Sequence, residues 1–211
     1  MQDILSRIKS ALPQDQYDFE ILMVDDNSSD KTADIAENAL GNCGRVIRRK
    51  AVRSLSLSVL DGINQSSNDL VVVMDADGSH PPELIPEMIK AINQGHDLIV
   101  ASRYVAHAGS SGFPLSRKLV SRFACFIGNL VCPIRDNTSG FFCIKKESLN
   151  GVILTPRGFK IGLEVFAKAK YQSYKEIPYI FVNRIKGKSK LGIGAIFDYL
   201  VQVLRLLGDR K

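Results

Sequence analysis

The chain has 211 residues, 45% of them hydrophobic and 24% charged, and its 28 Lys and Arg against 22 Asp and Glu give a net charge of +6. This composition predicts one globular domain with a sizeable core and excludes intrinsic disorder. The modest positive charge suits a partner that carries phosphates, such as a nucleotide or an anionic membrane. Nucleic acid is not expected, because the sequence has no basic patch rich in aromatic residues.

The four cysteines form no C-x-x-C pair, which favours reduced, buried thiols over a disulfide framework or a zinc site. The first residues lack the pattern of a signal peptide, and no uninterrupted run of about 18 apolar residues could span a bilayer. We therefore expect a cytoplasmic domain.

Strand and helix patterns alternate along the first half of the chain. The predicted elements are a helix over 4–12, a strand over 20–24, a helix over 32–40, a strand over 45–48, a helix over 55–63 and a strand over 70–74. Asp30 or Ser29 is the expected N-cap of the helix over 32–40. Two of the strands, 20–24 and 70–74, run directly into acidic residues.

The same alternation continues in the second half. The predicted elements are a helix that starts at the prolines 81–82 and runs to 92, a strand over 97–101, a helix over 114–131, a strand over 141–144, a helix over 163–170, a strand over 175–182 and a helix over 193–207. The small and polar stretch 106–112 is predicted to be a loop that could act as a lid. Together these elements predict an α/β fold with a mostly parallel, doubly wound sheet and helices on both faces.

The acids after the strand 70–74 are the first candidate site. Asp75 and Asp77 are predicted at the C-terminal edge of a buried strand, where open α/β sheets bind ligands. Two carboxylates there could hold a hard divalent cation that in turn holds a diphosphate. The alternative is a strand-to-helix turn in which the acids cap the helix that follows.

Two apolar helices raise the question of a membrane surface. The helix over 114–131 is basic at its start and strongly apolar later, which fits either packing in the core, favoured by the spacing alone, or a position against a membrane. The closing helix over 193–207 is apolar over most of its surface but short for a bilayer.

Six motifs occur in order along nearly the whole chain. They are VDDNSSD at 24–30, MDADGSHPPE at 74–83, SRY at 102–104, the basic pair at 117–118, TSGFF at 138–142 and RIKGKSK at 184–190. With these motifs the chain resembles the polyprenyl (dolichyl) phosphate mannosyltransferases, which are inverting glycosyltransferases with the GT-A fold. The resemblance implies a catalytic domain over 1–191 and a C-terminal amphipathic helix over 192–211 at a membrane interface.

The resemblance assigns roles to the acidic motifs. It implies that Val24 and Asp26 contact the base and ribose of a nucleotide sugar. Asp75, Ala76 and Asp77 match the D-x-D motif, whose two acids hold Mg²⁺ or Mn²⁺ on the donor diphosphate and so assist loss of the nucleoside diphosphate.

The resemblance also implies that the basic motifs bind phosphates. Arg103, Arg117, Arg184 and Lys190 match basic positions of the family and would bind the phosphates of donor and acceptor. The residues given a catalytic role are Asp75, Asp77, Arg103 and Arg117. No general base is nominated, because a lipid phosphate is already ionised at neutral pH and can attack C1 once it is positioned.

The chain departs from the family pattern at its start and beside the D-x-D motif. Ser79 stands where the family has a Gln, and a glycine-containing loop of the family reads SLSLS at 54–58. The first strand of the family is not found before the helix at 4–12. We therefore expect an N-terminally truncated domain with a gap between the strands 20–24 and 70–74, either as a piece of a longer protein or as a divergent relative.

The leading hypothesis is metal-dependent transfer of a hexose, mannose from GDP-mannose, to a polyprenyl phosphate. A UDP-sugar donor stays open, because nothing in the acidic stretch 25–30 separates guanine from uracil. A catalytically dead nucleotide-binding or anion-binding domain is the alternative of a different class. The expected location is peripheral, at the cytoplasmic face of a membrane, with an anchoring partner or a fused segment.

Overall fold

The computed structural model describes residues 1–50, 53–182 and 193–209. The α-helices are α1 Gln2–Ala11, α2 Thr32–Leu40, α3 Leu55–Gln65, α4 Ile85–Asn93, α5 Leu115–Gly128, α6 Ile161–Lys168 and α7 Ile193–Gly208. The strands are β1 Ile21–Asp25, β2 Gly44–Arg48, β3 Leu70–Val73, β4 Leu98–Ser102, β5 Gly109–Ser111, β6 Phe142–Lys145, β7 Tyr174–Pro178 and β8 Ile180–Val182. Short 3₁₀ turns occur at Gly41–Cys43, Pro82–Leu84 and Lys146–Leu149.

Local sequence signals explain where several helices begin. The side chain of Ser54 caps α3 by accepting a hydrogen bond from the backbone N–H of Leu57 at 3.3 Å. Asp30 accepts from the N–H of Thr32, the first residue of α2, at 3.0 Å, although the cap position itself is Lys31. Pro82 opens the 3₁₀ turn that leads into α4, as expected for proline at a helix start.

The largest sheet has the order β3-β6-β4-β7. β6 runs antiparallel to both β3 and β4, and β4 runs parallel to β7. It follows that β3, β4 and β7 all point the same way and end at one edge of the sheet, while β6 begins there. This edge therefore collects the residues after three strands and the turn before a fourth.

The α/β prediction is confirmed, but the largest sheet is mixed rather than uniformly parallel. The short polar turn before β6 delivers that strand from the same edge at which its neighbours end, so it must run in the opposite direction. β1 and β2 form a separate parallel pair. In the described part of the chain β1 and β3 share no ladder, which confirms the expected lack of pairing between them.

Helices cover both faces of the large sheet, and the alternation along β6 shows how. Phe142 and Ile144 belong to a core cluster that includes residues of α6 and α7. Phe141 and Cys143 point to the other face, into a cluster with residues of α1 and α4. The expected arrangement of helices on both faces is therefore present.

Two expectations about the second half need correction, and the packing of the closing helix can be described. The predicted lid loop over 106–112 contains β5, which pairs in parallel with β8, so backbone hydrogen bonds tie it down. The predicted strand over 175–182 is two strands that belong to different sheets, because the chain leaves the large sheet after Pro178. The closing helix α7 packs on the core through Tyr199, Val203 and Leu206 and exposes apolar residues such as Phe197 and Leu204 on its other face, which is an amphipathic arrangement.

Helix α5 is not packed in the core as its apolar spacing favoured. Cys125 and Gly128 are its buried residues, whereas Leu115, Phe123 and Phe126 are 72%, 64% and 71% exposed. The apolar residues follow a helical spacing, but the face that they form points away from the core. None of the helices in the described segments is long and apolar enough to cross a membrane.

Candidate active site

A cavity of about 450 Å³ opens at the edge where β3, β4 and β7 end. Its wall includes residues that follow these strands, residues of the turn before β6, and residues of α5 and α6. The polar and charged side chains of the wall are Asp75, Asp77, His80, Arg103, Arg117, Ser121, Thr138, Ser139, Lys160 and Tyr179. The strand directions described above explain why residues so distant in sequence meet here.

The loop that follows β3 is closed at both ends by hydrogen bonds. Asp77 accepts from the backbone N–H of Ser79 at 3.0 Å and from the Ser79 hydroxyl, which forms a tight turn around Gly78. Gly78 has a φ of 82°, a conformation that favours glycine. At the other end, the backbone N–H of Asp75 donates to Nδ1 of His80 at 2.9 Å. The turn therefore holds both acids of the D-x-D motif at the cavity.

His80 lies in an aromatic setting and is almost fully buried, at 2% exposure. Its ring stacks on Phe141 with centroids 5.1 Å apart, and Tyr179 and Phe181 contact it edge-on at 6.0 and 5.9 Å. Burial lowers the pKa of His80 despite the opposing charges of the two aspartates. The imidazole is therefore neutral at pH 7.

Arg103 is held by a buried carboxylate beneath the cavity. Its Nε and Nη2 donate to the two oxygens of Asp136 at 2.8 and 2.6 Å, and Nη2 also donates to the Thr138 hydroxyl at 2.9 Å. Burial alone would lower the pKa of Arg103, but the charge and hydrogen bonds of Asp136 raise it, so the guanidinium stays charged. Nη1 has no hydrogen-bond partner among the described residues.

Two further cations face the same space. Lys160 donates from Nζ to the backbone carbonyl of Thr138 at 3.0 Å and makes no ion pair with the described residues. Burial, and then the nearby charge of Arg103, lower the pKa of Lys160 to about 8. Arg117, on α5, packs its guanidinium over the ring of Phe113 at 3.8 Å.

The two aspartates suit a divalent cation whose remaining coordination positions are filled by phosphate oxygens. The described residues contain no cluster of three His, Cys, Asp or Glu side chains that could hold a metal ion by itself. Mg²⁺ at diphosphate sites commonly takes one or two carboxylates and fills its shell with phosphate oxygens and water. A Cβ at Gly140 would lie 3.9 Å from an Asp75 carboxylate oxygen, so glycine there leaves room beside that carboxylate. These residues fit a metal–diphosphate group.

Asp26, which follows β1, differs from Asp75 and Asp77 because its carboxylate is held by other residues of the chain. Asp26 pairs with Arg49 and accepts from the N–H of Ser54 at 2.6 Å. The Arg49 side chain is only 6% exposed and also binds Asp61 at 2.6 Å. Ser54 directly precedes Leu55, which lines the cavity, so Asp26 lies next to the cavity wall without being part of it.

The structure brings together most of the residues singled out from the sequence. Asp75, Ala76, Asp77, Arg103 and Arg117 all line the cavity. The described lining residues do not include Val24 or Asp26. Arg184 and Lys190 lie outside the described residues.

Three polar residues at or near the site were not predicted from the sequence. His80 lies within the MDADGSHPPE motif, which could have signalled it, but no separate role was given to it. No motif of the sequence marks Lys160 or Arg49. Only the fold shows that Lys160 lines the cavity and that Arg49 is buried against Asp26 and Asp61.

Comparison with known proteins identifies the family. The sequence profile described as glycosyl transferase family 2 matches residues 2–152. The chain belongs to this family. A dolichol-phosphate mannosyltransferase of Pyrococcus furiosus is 42% identical to this family 2 chain over 98% of the chain and 60% of the relative. One of Saccharomyces cerevisiae is 33% identical over 89% of the chain and 74% of the relative.

The chain thus spans about 60% of the length of the Pyrococcus relative. Solved structures support the fold. Glucosyl-3-phosphoglycerate synthase of Mycobacterium tuberculosis, in complex with Mn²⁺ and UDP-glucose, superposes with a TM-score of 0.65 at 16% identity, over 99% of this chain and 74% of that chain. This likeness confirms the GT-A-like glycosyltransferase fold of the family 2 chain.

Proposed function

We propose that this protein transfers a hexose, mannose from GDP-mannose, to the phosphate of a dolichyl or other polyprenyl lipid, with inversion at the anomeric carbon. The observation that carries the proposal is the charge arrangement of the cavity. Two carboxylates, Asp75 and Asp77, share its wall with three cations, Arg103, Arg117 and Lys160. The names of the two relatives, both dolichol-phosphate mannosyltransferases, supply the substrate class.

The carboxylates and the cations suit different phosphates. Asp75 and Asp77 would hold Mg²⁺ or Mn²⁺, which when bound offsets the charge of the departing diphosphate. The guanidinium groups of Arg103 and Arg117 suit a phosphate that lacks such a metal, because guanidinium donors match phosphate oxygens in geometry and charge. A donor diphosphate at the carboxylates and an acceptor phosphate at the cations would place the sugar between them.

The reaction would then need positioning and no proton transfer. A phosphate monoester of a lipid is ionised at neutral pH, so its oxygen is already a nucleophile. Lys160 and the arginines would hold that oxygen in line with C1 and screen its charge from that of the donor. The Asp136 carboxylate, buried under Arg103, fixes the orientation of the guanidinium by accepting two hydrogen bonds from it and a third from the Arg103 backbone N–H.

A lipid acceptor is supported by the exposed apolar faces of α5 and α7. The two helices are neighbours, since the Tyr199 hydroxyl donates to the carbonyl of Ala124 at 2.7 Å. Their exposed apolar side chains, together with that of Leu130 just after α5, are here called the apolar face: Leu115, Leu119, Phe123, Phe126, Leu130, Ile196, Phe197, Leu200 and Leu204. The opposite side of α5, including Arg117 and Ser121, lines the cavity. One helix would thus connect a lipid phase with the site of the phosphate.

We further propose peripheral association with the cytoplasmic face of a membrane through this apolar face. A set of exposed apolar side chains on neighbouring helices marks an interaction site, and lipid suits one that borders a phosphate site. Removing Phe123 and Phe126 together by substitution with Ser should weaken binding to phospholipid vesicles while leaving the midpoint of thermal unfolding unchanged. A partner protein or fused segment that strengthens the anchoring fits the same face.

Transfer can be tested with the full chain, GDP-[³H]mannose and dolichyl phosphate in detergent. We expect a labelled, acid-labile lipid that forms with Mg²⁺ or Mn²⁺ and does not form with EDTA. Parallel reactions with UDP-glucose decide whether the donor is a uridine nucleotide. Metal-dependent GDP binding without transfer from any donor would favour a catalytically dead binding domain and overturn the proposal.

A further inference from the structure

The loop from Asp75 to His80 is organised by His80 as well as by its glycine. The Asp75 amide donates to Nδ1 of His80, so this nitrogen is the unprotonated acceptor of the ring. The proton of the neutral imidazole is therefore on Nε2. The first and last residues of the loop are thereby joined directly.

The environment of the ring makes this join rigid. Stacking on Phe141 and edge contacts with Tyr179 and Phe181 leave the ring little freedom to turn. Phe141 leads into β6, and Tyr179 lies between β7 and β8. The side chain of His80 therefore links the Asp75 amide to β6 and to the segment between β7 and β8, so the position of this amide does not depend on β3 alone.

We propose that His80 is a positioning residue for the D-x-D motif: its Nδ1 fixes the Asp75 backbone so that the Asp75 carboxylate points to the metal–diphosphate position. This inference rests on the proposed function for its ligand, a metal-bound nucleotide. His80 does not itself bind the metal in this scheme. Its place in the loop makes it comparable to the outer-shell partners that orient metal ligands, whose loss commonly costs 10-fold to 100-fold in metal affinity.

Three substitutions separate this role from simple packing. In His80→Asn the amide oxygen can replace Nδ1 as an acceptor at the same distance from the backbone. In His80→Gln the acceptor is displaced by one carbon toward the former position of Nε2. His80→Phe keeps an aromatic ring for the stack but has no acceptor.

The main readout is the Mn²⁺ concentration that gives half-maximal binding of GDP, measured by titration calorimetry on the full chain. We expect His80→Phe and His80→Gln to raise it by roughly 10-fold to 100-fold and His80→Asn to raise it by less than about threefold. Equal losses in all three variants, or none in His80→Phe, would overturn the proposal. Thermal unfolding of each variant shows whether it is folded.

A second readout does not depend on the ligand. Hydrogen exchange of the Asp75 amide should be slow in the wild type and in His80→Asn, and at least about tenfold faster in His80→Phe, because the last lacks the acceptor. If the wild type shows no metal-dependent GDP binding, the proposed function is wrong, and the exchange rates still decide whether His80 holds Asp75. Fast exchange in the wild type would refute that role.

Discussion

The two strands that end in acidic residues differ in what surrounds their carboxylates. After β1, Asp26 is bound by Arg49 and by the amide of Ser54. After β3, Asp75 and Asp77 line an open cavity, and Gly140 leaves space beside the first of them. The same sequence pattern therefore gives one acid, Asp26, that pairs with a buried arginine and two, Asp75 and Asp77, that face a cavity. What separates them is a buried cation delivered just after the neighbouring strand β2.

The largest expected effect tests whether Asp75 and Asp77 serve the reaction. The contrast between the ends of β1 and β3 would fail if these two acids only stabilised the fold. We expect Asp75→Asn and Asp77→Asn each to lower the transfer rate by roughly a thousandfold, because either change removes a charge that holds the metal. The measurement is initial rate at saturating donor and acceptor.

The control for these variants is their stability. Asparagine is close in size to aspartate and keeps one side-chain oxygen as an acceptor, for example for the hydrogen bonds from Ser79, so urea unfolding should give a free energy close to that of the wild type. A large loss of stability with little loss of rate would reverse the roles assigned to the two strand ends.

The next largest effect is expected at β1, and it should appear in stability. Arg49→Met leaves Asp26 and Asp61 without their shared cation, which should lower the free energy of unfolding by roughly 2 kcal/mol. Arg48→Met is the matched control, since the adjacent Arg48 side chain is 47% exposed where it pairs with Asp34 and Glu37.

Urea unfolding of both variants measures the difference. Arg48→Met should match the wild type within experimental error. If the two substitutions had equal effects, the buried cation would not be what distinguishes the acidic end of β1.

The smallest expected effect concerns the pH dependence of the cationic side of the cavity. The pKa of Lys160 is lowered to about 8, so its ammonium is charged below that pH and neutral above it. We expect kcat/KM to fall with rising pH through this value, by up to about tenfold at one unit above it, as the cation is lost. Lys160→Arg stays charged and should lack this decline. A decline identical in both proteins would assign it to another group.

Much of the fold could be predicted because its signals are local. The periodic helix over 32–40 was placed at its observed bounds, and the apolar run at 70–74 matched β3 within one residue. Strand direction is not local. β6 reads as a buried strand whichever way it runs, so its antiparallel pairing with β3 and β4 could not be deduced. The pairing of β5 with β8 likewise depends on residues distant in sequence.

The site was predictable where chemistry coincides with a strand end. Asp75, Asp77 and Arg103 each follow a strand, and the strand directions bring them together. The partners that decide how such residues behave were not predictable, because they come from other elements. Asp136, from the turn before β6, orients Arg103, and Arg49 pairs with Asp26. For the same reason the spacing of the apolar residues of α5 favoured packing in the core over a position against a membrane, since periodicity does not show which face a helix presents.

The position of β6 between β3 and β4 also bears on how the chain folds. Leu70 pairs with Lys145, and Leu98 with Ile144, so β6 must be available before either ladder can form. Contacts of such long range slow folding, because a large loop must close before any of them is made. During synthesis the acidic loop after β3 would emerge from the ribosome long before the strand that anchors it. A nascent chain that ends before Phe142 should therefore leave β3 unpaired and accessible to chaperones.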